Sequence, residues 1–511
     1  MTPRAEPGRA SPLLPLLLLA LWAGVHRAPP QEDAHILFRY ARNLAQGHGL
    51  TWNPGEDPVE GATAFLWTVL LAGCERVGLG AIDGSVLLSG LALAGTVLAF
   101  PLLGPRVGLQ PRHGLLAACL VALSPLVVHL GTGFSAPLMG LLLLLLTFAL
   151  ARHAFGEVGD RAHAAHAVPA LGLALGLTRP EGAAVAVLAI GCGLALARPE
   201  ERARVARLAA VWFVLPGAVY FVGRWIYFGA VLPNTFYAKA RLFPPDAARS
   251  LLLGARPLVW LGALLLPALV VAALGLWRWP ARERLRFALV ALPVLAFPLT
   301  HAVVVQVQNV AHRYQAPAIP AALLLAALAA SRAPLPAPLL QRAFAALCAL
   351  WFGGFTHQVR IRPTPPDLQR IGEALRPLAE HDVRLLSSEA GVLPWYSQWP
   401  AADPFGLYDE HVAHHGLDDA WLDRQRPDVI LFHAFSATWS PTFGGTYAQG
   451  HWNEMVQHLH RYALSRSYEL AAIVRAGADP DDVHWYWVRP DAPDKGAILA
   501  AIRDHPELEY R

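Results

Sequence analysis

The chain has 511 residues, 55% of them hydrophobic and only 15% charged, with a mean hydropathy of +0.38. Soluble domains carry about 25% charged residues, so a string of soluble domains is excluded for most of this length and a polytopic membrane protein is implied. The net charge of +4 hides a split: residues 1–359 hold 27 Lys and Arg against 15 Asp and Glu, whereas residues 360–511 hold 14 against 22.

A hydrophobic, basic body (1–359) is therefore expected to carry a water-soluble, acidic tail (360–511). Nucleic acid is excluded as a partner, because the positive charge sits in short clusters between apolar segments, the pattern of topology signals. A bilayer crossing needs about 17–25 apolar residues. Runs of that character lie near 12–27, 63–79, 84–104, 114–131, 134–151, 167–178, 180–197, 208–228, 253–277, 287–304, 315–331 and 339–357. Some are short or broken by Pro and Gly, which predicts 11 to 13 transmembrane helices. The first reads as a signal anchor, since Pro29 and Pro30 follow a weak cleavage site.

Arginine clusters set the orientation. Arg198, Arg202, Arg204 and Arg207 form one cluster, and Arg278, Arg282, Arg284 and Arg286 another, two crossings apart. Both are expected inside, so loop 229–252 faces outward. Counting onward puts 305–314 outside, 332–338 inside and the tail outside. Counting backward puts Arg179 and Glu181 at the outer face. Arg4 and Arg9 hold the N-terminus inside, which places loop 28–62 outside. The two counts disagree by one crossing within 60–113, and a re-entrant or half-spanning piece there would reconcile them. The four cysteines, Cys74, Cys119, Cys192 and Cys348, all lie in apolar runs without CxxC spacing and read as buried, inert thiols.

In the tail, Val383–Ser387, Val429–His433 and Trp485–Val488 read as strands, and Asp367–Glu380 and Asn453–Arg466 as helices. This predicts an α/β or α+β domain of about 150 residues, long enough to fold by itself. Its Trp395, Tyr396, Trp399 and Tyr408 suit either core packing or a sugar-stacking surface. His411, His414 and His415 read as solvated loop residues rather than a metal site.

The stretch richest in chemistry is the first outer loop, 28–62. Glu32 and Asp33 precede a predicted helix on which Ile36, Leu37, Tyr40 and Leu44 share one face, with Arg39 and Arg42 displaced from it. Such a helix, lying on the membrane surface with two carboxylates at its start, suits an enzyme whose substrate arrives from the lipid. A carboxylate there can take a proton from a hydroxyl nucleophile, and arginines can receive a departing phosphate. The same residues also fit a plain N-cap at Asp33 and arginines facing lipid headgroups.

Residues 32–67, from Glu32-Asp33-Ala34-His35 through Asn53-Pro54-Gly55-Glu56 and Glu60-Gly61 to Trp67, resemble the first-loop signature of multi-spanning GT-C-fold glycosyltransferases. The best-known members of that family are the mycobacterial terminal arabinofuranosyltransferases. The resemblance continues through Thr178-Arg179-Pro180-Glu181-Gly182, Leu232-Pro233-Asn234-Thr235-Phe236-Tyr237-Ala238-Lys239 and Arg313-Tyr314. In the tail it takes in Ala390–Ser397 and Gly406-Leu407-Tyr408-Asp409, so that it spans about 30 to 430. It implies a polyprenyl-phosphate-linked sugar as donor, a pentofuranose among the candidates, and transfer outside the cytoplasmic membrane to an envelope glycan or glycolipid. It also implies a first-loop carboxylate as catalytic base. Three departures stand out. The family's Asp-Asp pair is Glu32-Asp33 here, so either is a candidate base. Ala62 and Ala64 replace a tyrosine and an asparagine. Gly133-Phe134-Ser135-Ala136-Pro137 lacks the family's glutamate, which points toward a substrate other than arabinofuranose or toward reduced activity.

The candidate site is thus Asp33 and Glu32 for catalysis, with Arg39, Arg179, Lys239 and Arg313 for the donor phosphate. Asn53, Glu60, Glu181, Asn234, Tyr237, His312 and Tyr314 are candidates for substrate contacts. Lys239 equally fits a snorkelling interfacial lysine, and Arg179 with Glu181 equally fits a pair that holds a helix break. No cofactor is implied, and a divalent cation is left open. The competing reading, a transporter or flippase of a lipid-linked sugar, explains the crossings but requires neither the carboxylate pair nor a large external domain.

Overall fold

The computed structural model describes residues 11–240, 247–302, 306, 308–333, 335–358, 365–445, 450–477 and 479–510. Arg4 and Arg9, and parts of the 229–252 and 305–314 loops, lie outside the described residues.

The body is helical: α1 (Leu13–His26), α2 (Ala34–Ala45), α3 (Phe65–Arg76), α4 (Ala81–Leu103), α5 (Pro111–Ala122), α6 (Ala136–Phe155), α7 (Val158–Thr178), α8 (Pro180–Leu196), α9 (Arg202–Ala209), α10 (Leu215–Phe228), α11 (Asn234–Ala240), α12 (Ala247–Trp277), α13 (Ala281–Leu299), α14 (Ala318–Ser331) and α15 (Ala337–Gln358). Each predicted apolar run falls on a helix. By length and composition, four continuous helical stretches among the described residues can cross a bilayer: Ala81–Val107, Ala136–Phe155, Pro199–Phe228 and Gly254–Trp277. α6 and α14 form the buried centre of the bundle. α10 instead shows Val211, Leu215, Val219, Trp225 and Ile226, on and just ahead of it, to the outside. A helix that apolar on its outer face requires lipid around it.

The run expected at 63–79 is only the 12-residue α3. At about 1.5 Å per residue it reaches about 18 Å, short of the ~30 Å hydrocarbon layer. It lies in the segment where the two topology counts conflict. Omitting it from the count brings the two into agreement, although α5 is equally short at 12 residues.

The tail folds on one mixed sheet. β1 (Leu385–Ser387) lies between β2 (Ala401–Ala402) and β3 (Val429–Ala434) and is parallel to both. β5 (Val483–Val488) is antiparallel to β3 and to the edge strand β4 (Glu469–Arg475), giving the order β2-β1-β3-β5-β4. Helices α16 (Pro366–Leu375), α17 (Val392–Ser397), α18 (Glu410–His415), α19 (Asp419–Gln425), α20 (Gly450–Ser465) and α21 (Lys495–Arg503) surround it. The three predicted strands and two predicted helices are all present. β2 and β4 are additional: a two-residue strand has no readable period, and β4 alternates poorly in burial.

α2 does not rest on the membrane surface. Ile36 and Tyr40 enter the core of the tail with Trp52, while Ala34, Phe38 and Ala41 pack against Trp67 and Leu71 of α3. The helix is buried on both sides, between body and tail. Trp395, Trp399 and Tyr408 are 6%, 0% and 5% exposed, so these aromatics are core rather than a sugar-stacking surface.

Candidate active site

Asp33 occupies the N-cap position of α2, but its carboxylate accepts no capping hydrogen bond. The plain N-cap role is therefore not the one it plays. Its Oδ2 lies 3.5 Å from Nη2 of Arg313 instead, and Arg313 also donates from Nη2 to the Tyr314 hydroxyl at 2.9 Å. Arg313 is 7% exposed, with its guanidinium 3.8 Å over the Phe134 ring. Its Nε and Nη1 are buried without hydrogen-bond partners. Unsatisfied buried N–H groups cost about 1–3 kcal/mol each, and a bound anion would satisfy them. Ala311 and His312 precede it with φ of 47° and 55°, left-handed backbone that side-chain-bearing residues rarely adopt and that clusters at functional sites.

Glu32 is held differently. Its Oε1 accepts the backbone N–H of Gly391 and, at 3.2 Å, that of Val392, at the start of α17. A side chain at Gly391 would collide with the Glu32 carbonyl, so the glycine is what lets tail and loop approach so closely. Burial, and then the charges of Glu389 and Asp33, push the Glu32 carboxyl well above the ordinary range. Asp33 keeps 22% of its side chain exposed.

Both carboxylates line one cavity of about 510 Å³, together with Lys239, Gln306, Gln308 and, from the tail, Glu389, Phe405, His433 and Trp452. Residues far apart in the chain and predicted as one site (Glu32, Asp33, Lys239 and Arg313) thus do meet. The Gly133–Pro137 stretch borders them: a side chain at Gly133, where φ is +83°, would lie 2.7 Å from Ala34 and Phe38 of α2. Phe134 supports Arg313, and buried Ser135 stands where the family places its glutamate.

The structure puts the other candidates to different uses. Arg39, expected on the phosphate, donates to the carbonyls of Trp52 (2.9 Å), Pro394 (2.9 Å) and Trp399 (3.0 Å) and to Asn53 Oδ1 (3.0 Å). It clamps the first loop to the tail. Asn53 completes that clamp by bonding the N–H and carbonyl of Ala401. Glu60 makes a two-pronged buried pair with Arg224 on α10. Asn234 donates to the carbonyls of Gly406, Leu407 and Asp409, and the Tyr237 ring packs on His414 at 4.3 Å. Arg179 and Glu181 pair with each other across the α7–α8 break, and His301 bonds Glu181 at 3.0 Å. His301 also stacks on Tyr314, 5.0 Å between ring centroids, so this group supports the Arg313 side of the cavity from behind. The ring of His312 stacks on Trp260 at 3.7 Å.

Glu389, His433 and His301 were not candidates from sequence. One signal existed for Glu389, which immediately precedes the Ala390–Ser397 motif. The histidines stand alone in apolar surroundings and carry none.

Comparison with known proteins adds the following. Residues 356–487 match a family model described as a domain of unknown function (DUF8728). A search of curated proteins returns no significant match. Among solved structures, the chain is similar to ArnT from Cupriavidus metallidurans, with a TM-score of 0.57 and 15% identity over 93% of this chain and 97% of that one. It is similar also to the mycobacterial arabinofuranosyltransferase AftD, with a TM-score of 0.55 and 17% identity, covering 96% of this chain but 41% of AftD. A third likeness is to the Archaeoglobus fulgidus oligosaccharyltransferase, with a TM-score of 0.53 and 11% identity over 94% of this chain and 74% of that one. The fold is that of the GT-C membrane glycosyltransferases.

Proposed function

We propose that the chain is a membrane glycosyltransferase that moves a sugar from a polyprenyl-phosphate donor to a hydroxyl of an envelope glycan or glycolipid. The observation that carries this reading is the junction of Asp33 with Arg313. A partly exposed carboxylate and a buried guanidinium with two unused donor nitrogens meet at the edge of a cavity that also holds Lys239. Similarity of fold supports the donor class, since ArnT is known bound to undecaprenyl phosphate and the archaeal oligosaccharyltransferase AglB in complex with a dolichol-phosphate.

In this mechanism Asp33 takes the proton of the acceptor hydroxyl, and the hydroxyl oxygen attacks the anomeric carbon. The bond from that carbon to the phosphate oxygen breaks, and the phosphate leaves into the charge of Arg313 and Lys239. One displacement inverts the anomeric centre. Asp33 is favoured over Glu32 as base, because Glu32 is pinned by two backbone N–H groups and disposed to hold its proton. Glu32 then serves to hold the tail against the first loop. The cavity and the tail are assigned to the extracytoplasmic side of the cytoplasmic membrane, a reading that the arginine clusters support.

Purified protein in detergent would be assayed with a panel of polyprenyl-phosphate sugars. Asp33→Asn is expected to slow transfer about 10²–10⁴-fold, the usual size of general-base catalysis, with donor affinity nearly unchanged. Near-wild-type transfer by Asp33→Asn and by the double variant with Glu32→Gln would remove the first-loop base. Movement of lipid-linked sugar across vesicles with no transfer would replace the enzyme by a transporter.

A further inference from the structure

Beside the two carboxylates, the tail contributes a group of side chains that the transfer chemistry leaves unused. β3 and β5 pair so that His433 and His484 stand directly opposite each other, with ring centroids 5.0 Å apart. Glu389, two residues past β1, reaches the same point: its Oε1 lies 3.0 Å from His433 Nδ1 and 4.0 Å from His484 Nε2. One ligand atom from each of the three lies within 4.8 Å of the others.

The far side of each ring is held by a carboxylate. His484 Nδ1 lies 2.7 Å from Asp367 Oδ2, which also accepts the Tyr486 hydroxyl, and both His484 and Asp367 are fully buried. His433 Nε2 bonds Asp482. At His484 the carboxylate on Nδ1 fixes the proton there and leaves Nε2 with a bare lone pair, the arrangement that orients histidines on metal ions, whereas His433 faces a carboxylate at each ring nitrogen, so that a metal would take the place of the proton between its Nδ1 and Glu389. The consequence is visible at His484: its Nε2 is wholly buried, has no hydrogen-bond partner and is aimed at Glu389. A buried imidazole nitrogen without a partner is costly. A cation in that position would satisfy it.

The spacing agrees. Tetrahedral ligands about 2.1 Å from a metal lie about 3.4 Å apart; Glu389 lies 3.0 and 4.0 Å from the two imidazole nitrogens, on either side of that value, and the third separation is within 4.8 Å. We propose that Glu389, His433 and His484 form a binding site for a divalent transition metal of the zinc class, with three protein ligands and a fourth position open to the cavity that Glu32, Asp33 and Lys239 line. Two imidazoles and one carboxylate are the donor set of an open site rather than of a closed structural one. The site rests on strand register and burial, independently of the transfer reading.

The test is metal uptake by full-length protein in detergent, purified without a histidine tag and stripped with chelator, then titrated with Zn²⁺ alone. One tight equivalent is expected. Glu389→Gln and His433→Asn should each lower the affinity at least 100-fold, and Asp482→Asn, whose carboxylate bonds the far nitrogen of the His433 ring, about 10–100-fold. Far-UV circular dichroism checks that each variant is folded, and Asp482→Asn carries the test if a ligand variant is not. Absence of a stoichiometric equivalent in the wild type would overturn the proposal. So would uptake unchanged by Glu389→Gln and His433→Asn, or uptake abolished by His414→Ala with His415→Ala instead. No sugar donor is present, so failure here leaves the transfer reading standing, and failure of Asp33→Asn to slow transfer leaves the metal site standing.

Discussion

Arg39→Met separates a clamp from a phosphate ligand. Arg39 is 6% exposed, and burial lowers its pKa to about 10, so it remains charged at neutral pH. Methionine keeps much of the stem and removes four donated hydrogen bonds together with the contact over the Trp52 ring at 4.4 Å. Three of the acceptors retain a second donor: Trp52 O from Asn43, Asn53 Oδ1 from the Ala401 N–H, and Pro394 O from the Gln398 N–H. The Trp399 carbonyl is the one left bare. One orphaned carbonyl costs about 1–3 kcal/mol, and a desolvated cation–π contact adds about 1–2. With the charge-assisted bonds partly replaced, the expected cost is about 3–4 kcal/mol. The cost falls on the junction between α2 and α17, so local opening is the quantity to measure. Hydrogen–deuterium exchange at the amides of residues 392–398 should accelerate about 10²–10³-fold, since each 1.4 kcal/mol is a factor of ten. Arg39→Lys, with one ammonium in place of a fork, should fall between the two. Exchange within about threefold of wild type, combined with weakened donor binding, would refute the clamp and return Arg39 to the phosphate.

The remaining expectations concern the body and the tail. Glu60→Gln strands a buried Arg224 and should cost about 3 kcal/mol, read as a lower thermal midpoint in detergent, whereas Glu60→Met with Arg224→Met should recover most of it. Lys239→Met should raise the donor KM and lower kcat together, because the phosphate is charged before the transition state and more so within it; a change in neither would remove Lys239 from the site. Burial pushes the Asp403 carboxyl from 3.8 up to about 7, against the N–H donors of Phe405, Leu407 and Tyr408. A carboxyl whose folded pKa is raised lends stability below its unfolded value and loses it as pH climbs through the folded one. The thermal midpoint should therefore fall between pH 4 and pH 7, and Asp403→Asn should flatten that decline.

Much of this molecule was legible in its sequence. The apolar runs became helices, because the demand of a bilayer for apolar side chains is met within a local window of the chain. The strands at Val429 and Trp485 announced themselves by β-branched and aromatic content. Glu32, Asp33, Lys239 and Arg313 stood out as charges beside membrane segments, where charge is costly without a use. What the sequence could not state was which polar group meets which. Arg39 and Arg313 read alike, yet one spends its donors on backbone carbonyls and the other keeps two free. Glu60 finds Arg224, and Asn234 finds the 406–409 carbonyls, across more than 150 residues. The run at 63–79 read as a crossing, yet the helix it forms, α3, spans only 12 residues. The clearest case is Glu389 with His433 and His484: three isolated residues become one cluster only through the pairing of β1 with β3 and of β3 with β5. Burial is a sum over each residue's own surface and can be read one residue at a time. A hydrogen bond or a ligand sphere depends on two or more positions to within a fraction of an ångström, and only the packed chain supplies those.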